Sequence, residues 1–233
     1  MADPLPLLLV PGLLCSARLY APQVTALWPL GPVTVADHRR DADVAAVAAR
    51  ILASAPPRFA LAGLSMGGYI AFAMLRQAPE RIAKLALLDT SARPDTPEQS
   101  ARREAFIAMA EAGQLVEVVD SLAPRFLHRN RRTDAMLNRV IRDMAADTGV
   151  AAFVRQEKAI ITRPDSRPRL ASIACPTLVL VGEGDELTPP SLAQEMAAGI
   201  AGARLVAVPD CGHLSTLEKP EVVNAALAEW LST

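Results

Sequence analysis

Short, continuous runs of apolar residues alternate with longer amphipathic stretches along most of the chain. A continuous apolar run bounded by Gly, Pro or Asp is typical of a strand buried on both faces of a parallel sheet. The runs predict strands at Leu5–Val10, Pro32–Ala36, Arg58–Gly63, Arg81–Leu88, Thr177–Val181 and Arg204–Val208. Helical patterns fall near Pro22–Leu27 and at Asp41–Ser54, Met66–Gln77, Pro189–Ala201 and Pro220–Leu231. This alternation predicts an α/β fold with a doubly wound, mainly parallel sheet of about six strands.

The alternation stops between residues 93 and 167, where the pattern predicts helices and no strand. The helical patterns cover Pro97–Ala112, Leu115–Leu122, Thr133–Asp147 and Val150–Thr162. Many arginines lie in this stretch, and prolines stand near both of its ends. We interpret 93–167 as a helical cap that is inserted after the fourth strand into a core formed by 1–92 and 168–233.

A Gly-x-Ser-x-Gly pattern, Gly63-Leu64-Ser65-Met66-Gly67, joins the third strand to the helix that follows it. In a strand–turn–helix context this pattern predicts a nucleophile elbow, a strained turn that lifts a serine hydroxyl above the sheet. Glycines beside the serine leave room for the neighbouring backbone. The N–H of Met66 would begin the helix and point at the space above Ser65, where an oxyanion would form. The alternative is a glycine-rich turn with an incidental serine.

The loop after the first strand, Pro11-Gly12-Leu13, reaches the same edge of the predicted sheet. Because glycine permits a close backbone approach, the N–H of Leu13 can point towards Ser65. Leu13 and Met66 would then form a two-donor oxyanion hole. An ordinary Pro-Gly turn is the competing interpretation.

A serine hydroxyl is a poor nucleophile until a base of near-neutral pKa accepts its proton. Of the three histidines, His38, His128 and His213, only His213 follows a late strand and precedes a helix. We therefore predict His213 as the base. His38 could line the rim of the site, and His128, among arginines of the inserted segment, is expected to be a solvated residue.

The fifth strand ends in Gly182-Glu-Gly-Asp185, a loop that can place an aspartate above the sheet. Asp185 is the predicted acid, with Glu183, Glu186 and Asp89 as competitors, and a plain turn or helix-capping aspartate as the alternative. The order Ser65…Asp185…His213 then takes its three groups from three strand ends, in the order known for such sheets.

These segments together resemble the α/β-hydrolase superfamily over nearly the whole chain. The resemblance rests on the Pro-Gly loop, Gly-Leu-Ser-Met-Gly-Gly, Val-Gly-Glu-Gly-Asp and Cys-Gly-His-Leu. The stretch Gly212–Pro220 resembles small bacterial esterases and enol-lactonase-type hydrolases. The resemblance implies Ser65 as nucleophile, His213 as base, Asp185 as orienting acid, and Leu13 and Met66 as oxyanion donors. It implies no metal and no organic cofactor.

The chain departs from this resemblance in two places. Many members have His-Gly where this chain has Pro11-Gly12, so a polar side chain is lost while the backbone donor remains. Members also have two strands before the strand that carries this loop, whereas in this chain the strand that carries the loop begins near residue 5. The sheet is therefore expected to lack the first two strands. The strand Pro32–Ala36 would be an edge, which a homodimer could cover.

The composition of the chain indicates which kinds of partner and which cellular compartment to expect. With 24 Lys and Arg against 25 Asp and Glu, the formal net charge of −1 gives no reason to expect a nucleic acid or an anionic membrane as partner. No stretch approaches the ~20 apolar residues that cross a bilayer. The three cysteines, Cys15, Cys175 and Cys211, show no metal-binding spacing and are interpreted as reduced thiols. A cytoplasmic protein is expected.

The predicted function is a serine hydrolase that cleaves a small or medium carboxylic ester or lactone. A carbon–carbon bond hydrolase of a vinylogous diketone, or a non-catalytic receptor for a small molecule, would use the same fold. Apolar residues of the inserted segment either shape the substrate pocket or pack the core; they are Phe106, Met109, Phe126, Leu127 and Phe153. Arginines of the same segment either bind a carboxylate or form a solvated, ion-paired face; they are Arg125, Arg129, Arg131 and Arg132.

Overall fold

A single parallel sheet organises the protein, whose computed structural model describes residues 4–233. Its six strands are β1 (Leu7–Val10), β2 (Val33–Val35), β3 (Phe59–Leu64), β4 (Ile82–Leu88), β5 (Thr177–Gly182) and β6 (Arg204–Val208). They lie in the order β2-β1-β3-β4-β5-β6, and every neighbouring pair is parallel. The predicted fold class is therefore confirmed.

Residues 4–233 also form nine α-helices. They are α1 (Ala21–Leu27), α2 (Val44–Ser54), α3 (Met66–Gln77), α4 (Pro97–Glu111), α5 (Leu115–Phe126), α6 (Ala135–Ile161), α7 (Pro190–Gly199), α8 (Ser215–Glu218) and α9 (Pro220–Ser232). The sequence patterns located all of these except α8, which is only one turn long and has no apolar periodicity.

Two hydrophobic layers cover the sheet, because side chains alternate between its faces along each strand. In β1, Leu8 and Val10 pack with α2, α3 and α7, whereas Leu7 and Leu9 pack with α1 and α9. β3 divides in the same way, with Leu61 on the first face and Leu64 on the second. All six residues of β3 are buried, which is why its sequence is a continuous apolar run.

The helices α4, α5 and α6 lie between β4 and β5 in the chain, where the inserted helical cap is predicted. The two helices predicted over 133–162 are both present within the span α6, and they meet at a kink where Gly149 has a non-helical backbone with φ 71° and ψ 167°. A left-handed backbone is available to glycine at little steric cost, so the kink falls there. That 93–167 is a separate cap unit stays a prediction.

The sheet has open edges at β2 and β6. β2 is three residues long and partly exposed, shorter than the predicted Pro32–Ala36. A short edge strand offers few unpaired backbone groups to a second chain. The dimer that would cover this edge stays a prediction. Within residues 4–233, no helix combines the length and the apolar character needed to cross a bilayer.

Candidate active site

Ser65 occupies a sharp turn between β3 and α3. Its backbone has φ 54° and ψ −115°, a left-handed conformation that costs a non-glycine residue free energy. Hydrogen bonds on both sides hold it: Ser65 N–H donates to the Leu88 carbonyl at 3.0 Å, and Thr90 Oγ1 donates to the Ser65 carbonyl at 2.7 Å. The geometry is that of the predicted elbow.

Close backbone contacts explain the glycines of this turn. A Cβ on Gly63 would lie 2.3 Å from the carbonyl oxygen of Gly67, and a Cβ on Gly67 would lie 2.0 Å from that of Val10. Both distances are far below van der Waals contact with a backbone atom. The pattern Gly-x-Ser-x-Gly is therefore required by the approach of α3 to β1 and β3.

His213 and Asp185 meet beyond the carboxyl ends of β5 and β6. The Nδ1 atom of His213 lies 2.8 Å from Oδ2 of Asp185, and both residues are at least 97% buried, with relative exposures of 3% each. The carboxylate also accepts the N–H groups of Leu187 and Thr188 at 2.8 and 3.0 Å. The hydroxyl of Thr188 donates to Oδ2 at 2.6 Å. These bonds fix the carboxylate against the ring.

Thr188 was not among the predicted site residues, although the sequence carries a signal for it. Its Oγ1 also lies 3.3 Å from His213 Nδ1, so it contacts both members of the pair. The spacing Asp-x-x-Thr is that of a carboxylate which accepts bonds from the backbone two and three residues later. Such a turn orients the aspartate through bonds within its own loop.

The competing acids are placed elsewhere. Asp89 accepts the Gly182 N–H at 2.9 Å and pairs with the hydroxyl of Ser215, at the back of the site. Glu186 forms an ion pair with Arg132 at 2.6 Å, and Glu183 is exposed. Within residues 4–233, Asp185 is the carboxylate bonded to the His213 ring.

Opposing effects set the pKa values of this pair. Burial acts to lower the pKa of His213, but the charge of Asp185 and its hydrogen bond outweigh burial, and the pKa lies above its ordinary value. Burial acts to raise the pKa of Asp185, and the attraction of His213 reverses this, so its pKa is lowered. For Asp89, burial and then the charge of Asp185 raise the pKa to about 8.

The loop that carries His213 is held by the end of α5. The N–H groups of His213 and Leu214 both donate to the carbonyl of Phe126, at 3.1 and 3.0 Å, and the Phe126 ring stacks on the imidazole at 6.2 Å between centroids. Glu218 also connects this loop to the residues after α5, because its two carboxylate oxygens accept the N–H groups of Gly212 and His128 at 2.8 Å each. Glu218 was missed because both of its partners are tertiary or loop contacts.

His128 is not the solvated residue that the sequence predicts. It is 7% exposed and is packed against the loops that precede Asp185 and His213. A Cβ on Gly184 would lie 2.3 Å from the His128 ring, and one on Gly212 would lie 2.3 Å from its backbone nitrogen. The arginines beside His128 suggested solvent, but the Glu218 carboxylate draws its backbone inwards.

The loop after β1 lies beside the serine, since a Cβ on Gly12 would be 3.3 Å from Ser65 Cβ. His38 is buried behind this loop, with Nε2 2.9 Å from the Gly12 carbonyl oxygen, and it does not line the cavity described below. Burial lowers the pKa of His38 to about 4, so the ring is neutral at pH 7. Because the Gly12 carbonyl and the Leu13 N–H share one planar peptide, a contact that fixes the first also orients the second.

Gln156 of α6 supports the same loop. Its Oε1 accepts the N–H of Leu14 at 3.1 Å, and its Nε2 lies 3.0 Å from Nε2 of His38. The ring nitrogen can either donate to Gly12 or accept from Gln156, and each arrangement ties the loop to its surroundings. Gln156 is separated from Leu14 by 142 residues, so no local pattern could identify it.

A cavity of ≈ 480 Å³ brings these groups together. Ser65, Leu13 and His213 line it from the strand ends, and α4, α5 and α6 close it from the other side. Of the apolar residues considered above, Phe106 and Phe126 line the cavity, whereas Met109, Leu127 and Phe153 pack in the core. A volume of this size suits a small or medium organic molecule.

The two cysteines near the site, Cys15 and Cys211, are packing residues. Cys15 is 4% exposed and Cys211 is fully buried. Burial raises the pKa of Cys15 to about 12, and burial also raises that of Cys211. Over the part of the chain that the structure describes, no group of three or more His, Cys, Asp or Glu side chains is placed to hold a metal ion.

A buried ionic network forms one wall of the cavity. Asp95 accepts from Arg103 at 2.7 Å and from Arg163 at 2.6 Å, and Glu157 accepts from Arg103 at 2.7 Å. The side chains of Asp95 and Glu157 are 1% and 0% exposed. The guanidinium of Arg163 also lies 4.1 Å from the centre of the Tyr69 ring. The network joins α4, α6 and the loop after β4.

Asp95→Asn is expected to lower the free energy of unfolding by about 3 kcal/mol, because two largely buried guanidinium groups lose their shared counter-charge. Urea unfolding measures this loss. Asp120→Asn is the matched control, since Asp120 pairs with Arg142 at 3.0 Å on the surface, where the expected loss is under ~1 kcal/mol. Equal losses in the two variants would contradict a structural role for the buried network.

A family model described as "Alpha/beta hydrolase family" matches residues 3–226. The chain belongs to the alpha/beta hydrolase family. This hydrolase is similar in structure to a thermophilic esterase from Thermogutta terrifontis, with a TM-score of 0.90, 32% identity, and coverage of 99% of this chain and 90% of that one. It is also similar to the enol-lactonase from Burkholderia xenovorans LB400, with a TM-score of 0.88, 25% identity, and coverage of 100% and 93%.

Among curated proteins, this hydrolase is similar to one from Mycobacterium tuberculosis that is provisionally named as a non-heme bromoperoxidase. The two are 30% identical over 190 residues, which cover 77% of this chain and 69% of that protein. The resemblance found in the sequence is therefore confirmed at the level of the family. The names of these relatives describe different reactions, so the substrate must be argued from the site.

Proposed function

We propose that this protein is a serine hydrolase that cleaves a small or medium carboxylic ester or lactone through an acyl-enzyme. The observation that carries the proposal is the 2.8 Å contact between His213 and Asp185, both buried, beside a cavity that Ser65 also lines. A histidine held in this way has one ring nitrogen fixed by the carboxylate and the other free to take a proton.

In the proposed reaction, Ser65 Oγ attacks the substrate carbonyl while His213 Nε2 accepts the serine proton. The N–H groups of Leu13 and Met66 would bind the oxyanion, and each such donor is typically worth about 3 kcal/mol of transition-state stabilisation. His213 then protonates the leaving alcohol. Water, deprotonated by the same ring, attacks the acyl-enzyme and releases the acid. Asp185 holds the tautomer and stabilises the imidazolium.

Two features support Leu13 and Met66 as donors. Met66 is the first residue of α3, so its N–H is free of the helix ladder and lies at the positive end of the helix dipole. Within residues 4–233, no protein acceptor is paired with the N–H of Leu13, although the peptide that carries it is held through Gly12. Both groups are available to a substrate oxygen.

A fluorophosphonate probe followed by peptide mapping tests the proposal. The expected result is a single adduct on Ser65 that is absent from Ser65→Ala, together with a burst of product from a chromogenic short-chain ester. A folded wild-type protein that gives no adduct would contradict an activated serine. That result would favour the receptor, which should bind a small lactone without turnover. A labelled enzyme that ignores esters but consumes a vinylogous diketone would favour the carbon–carbon hydrolase.

A further inference from the structure

The charges on the wall of the cavity do not balance. Five arginines and three carboxylates line it. Asp95 and Glu157 are neutralised by Arg103 and Arg163 within the buried network. This pairing leaves three arginines and one carboxylate of the lining to be accounted for.

Partners outside the lining account for two of these groups. Arg93 forms a bidentate pair with Glu195, at 2.9 Å for both bonds, and the carboxylate of Glu186 pairs with Arg132. Within residues 4–233, Arg102 and Arg125 have no carboxylate oxygen within 4.0 Å. The cavity therefore carries two uncompensated positive charges. The carboxylates of Glu186 and Asp185 act on Arg125 from a distance, but Glu186 is paired with Arg132 and Asp185 is turned onto His213.

Arg125 is the more constrained of the two. It lies on α5 one residue before Phe126, whose ring stacks on His213, and it is half-buried. Its guanidinium donates one long hydrogen bond, 3.4 Å, to the carbonyl of Glu186. Burial and then the neighbouring charge of Arg102 lower the pKa of Arg125, so the charged form is held at a cost. An anion between the two guanidinium groups would relieve that cost.

We propose that Arg102 and Arg125 bind a carboxylate on the substrate, so that the ester or lactone taken by this site belongs to an acidic small molecule. The proposal rests on the proposed hydrolase function and deepens it. A guanidinium presents parallel N–H donors that match a carboxylate, and the attraction is strengthened in a cavity from which water is partly excluded.

The other candidate arginines do not take this role. Arg131 pairs with Asp134 at 2.6 Å, and Arg132 pairs with Glu186. Arg129 is exposed on the short helical turn Arg129–Arg131 and does not line the cavity. Of the four arginines singled out from the sequence, only Arg125 lines the cavity. Arg102 was not singled out, because nothing local distinguishes it from other arginines of α4.

Matched esters test the proposal. The monomethyl esters of succinic, glutaric and adipic acids would be compared with methyl esters of the corresponding monocarboxylic acids. Wild type is expected to favour the acidic esters in kcat/KM, and Arg125→Gln to raise KM for them by about tenfold or more, the equivalent of one charge-assisted bond. Arg125→Gln should change KM for the neutral esters by less than about twofold. The acid length with the largest effect would measure the span from serine to arginine.

Three further variants make the result specific. Arg102→Gln should act in the same direction with a smaller effect, because Arg102 is exposed. Arg125→Lys keeps the charge and should restore part of the affinity. Arg129→Gln removes the same charge outside the cavity and should leave both ester series unchanged. Added salt should raise KM for the acidic esters only.

Several outcomes would overturn the proposal without touching the hydrolase function. Equal loss on acidic and neutral esters in Arg125→Gln would show a structural role. No preference for the acidic esters, while Ser65 still reacts with the fluorophosphonate and neutral esters turn over, would show that the two arginines bind no substrate carboxylate. Acceptance of an ester only when it is joined to an acidic carrier protein would place the arginines in a protein interface instead. Failure of Ser65 to label would overturn the proposed function itself.

Discussion

Asp185→Asn is expected to lower kcat for ester hydrolysis by about 10⁴-fold, whereas Asp89→Asn should leave kcat within about threefold of wild type. An amide at 185 would present an N–H₂ group to the backbone and hydroxyl donors that now surround the carboxylate, so the ring would lose its tautomer and its counter-charge. Steady-state kinetics on a short-chain ester, with circular dichroism to confirm folding, measure the difference.

Asp89 is a matched control because its pKa of about 8 leaves it mostly protonated at pH 7. A neutral carboxyl and a carboxamide make the same two bonds here, one from the Gly182 N–H and one with the Ser215 hydroxyl. A large loss in Asp89→Asn with little loss in Asp185→Asn would reverse the assignment of the acid.

The pH dependence gives a second readout of the same pair. In the proposed mechanism His213 must be neutral to accept the serine proton. Because Asp185 raises the pKa of His213, kcat/KM of wild type should then fall as the pH drops below a value above 6.5. In Asp185→Asn this limb should move to lower pH.

The free energy of unfolding should depend on pH in the opposite sense because of Asp89. Since the pKa of Asp89 is raised in the folded protein, its contribution to stability is complete below pH ~3.8 and is lost as the pH rises to about 8. Asp89→Asn should remove that loss.

Gly67→Ala is expected to reduce stability by about 3 kcal/mol or more and to abolish labelling of Ser65. The added methyl would lie 2.0 Å from the Val10 carbonyl, a backbone atom that cannot rotate away. α3 would have to shift from β1, and both Ser65 and the Met66 N–H would move with it. Urea unfolding and fluorophosphonate labelling measure the two effects.

Gly202→Ala is the control that separates the effect of a steric collision from the cost of a left-handed backbone conformation. Gly202 has φ 71° and nothing within 4 Å of an added Cβ, so its replacement should cost only about 1 kcal/mol and leave labelling intact. Gly67 is helical, a conformation that alanine prefers. If Gly67→Ala proved as stable and as reactive as wild type, that result would contradict the close contact between α3 and β1.

The local sequence predicts the strands and the elbow well, because each depends on features that lie next to one another in the chain. β3 is buried on both faces and reads as one apolar run, and Ser65 is framed by glycines that the turn requires. Asp185 and His213 were predicted from the ends of β5 and β6, since a parallel sheet brings those ends to one edge. The 2.8 Å contact between them is the geometry that the sequence could only imply.

The residues that support the site could not be predicted from the local sequence, for a physical reason. Gln156 bonds to a backbone group 142 residues away in the chain, and one of the two backbone groups bound by Glu218 lies 90 residues away, so any polar side chain of that length would look the same locally. His128 was placed wrongly for the same cause, because its burial depends on Glu218. Arg125 and Arg102 could be told from the paired arginines only after every carboxylate had been assigned a partner.

The bonds from Phe126 to the His213 loop limit how this enzyme can be re-engineered by recombination. A chimaera that exchanges α4 and the first turns of α5 with a relative would keep Phe126, and with it the support of the His213 loop, but it would remove Arg103 from the buried ionic network. A chimaera that exchanges the whole of 93–167 would also replace Phe126, His128 and Gln156, and so would alter the supports of both the His213 loop and the loop after β1. The end of α5 and the helix α6 therefore cannot be exchanged without disturbing the loops that carry His213 and Gly12, whereas an exchange of α4 has to preserve Arg103.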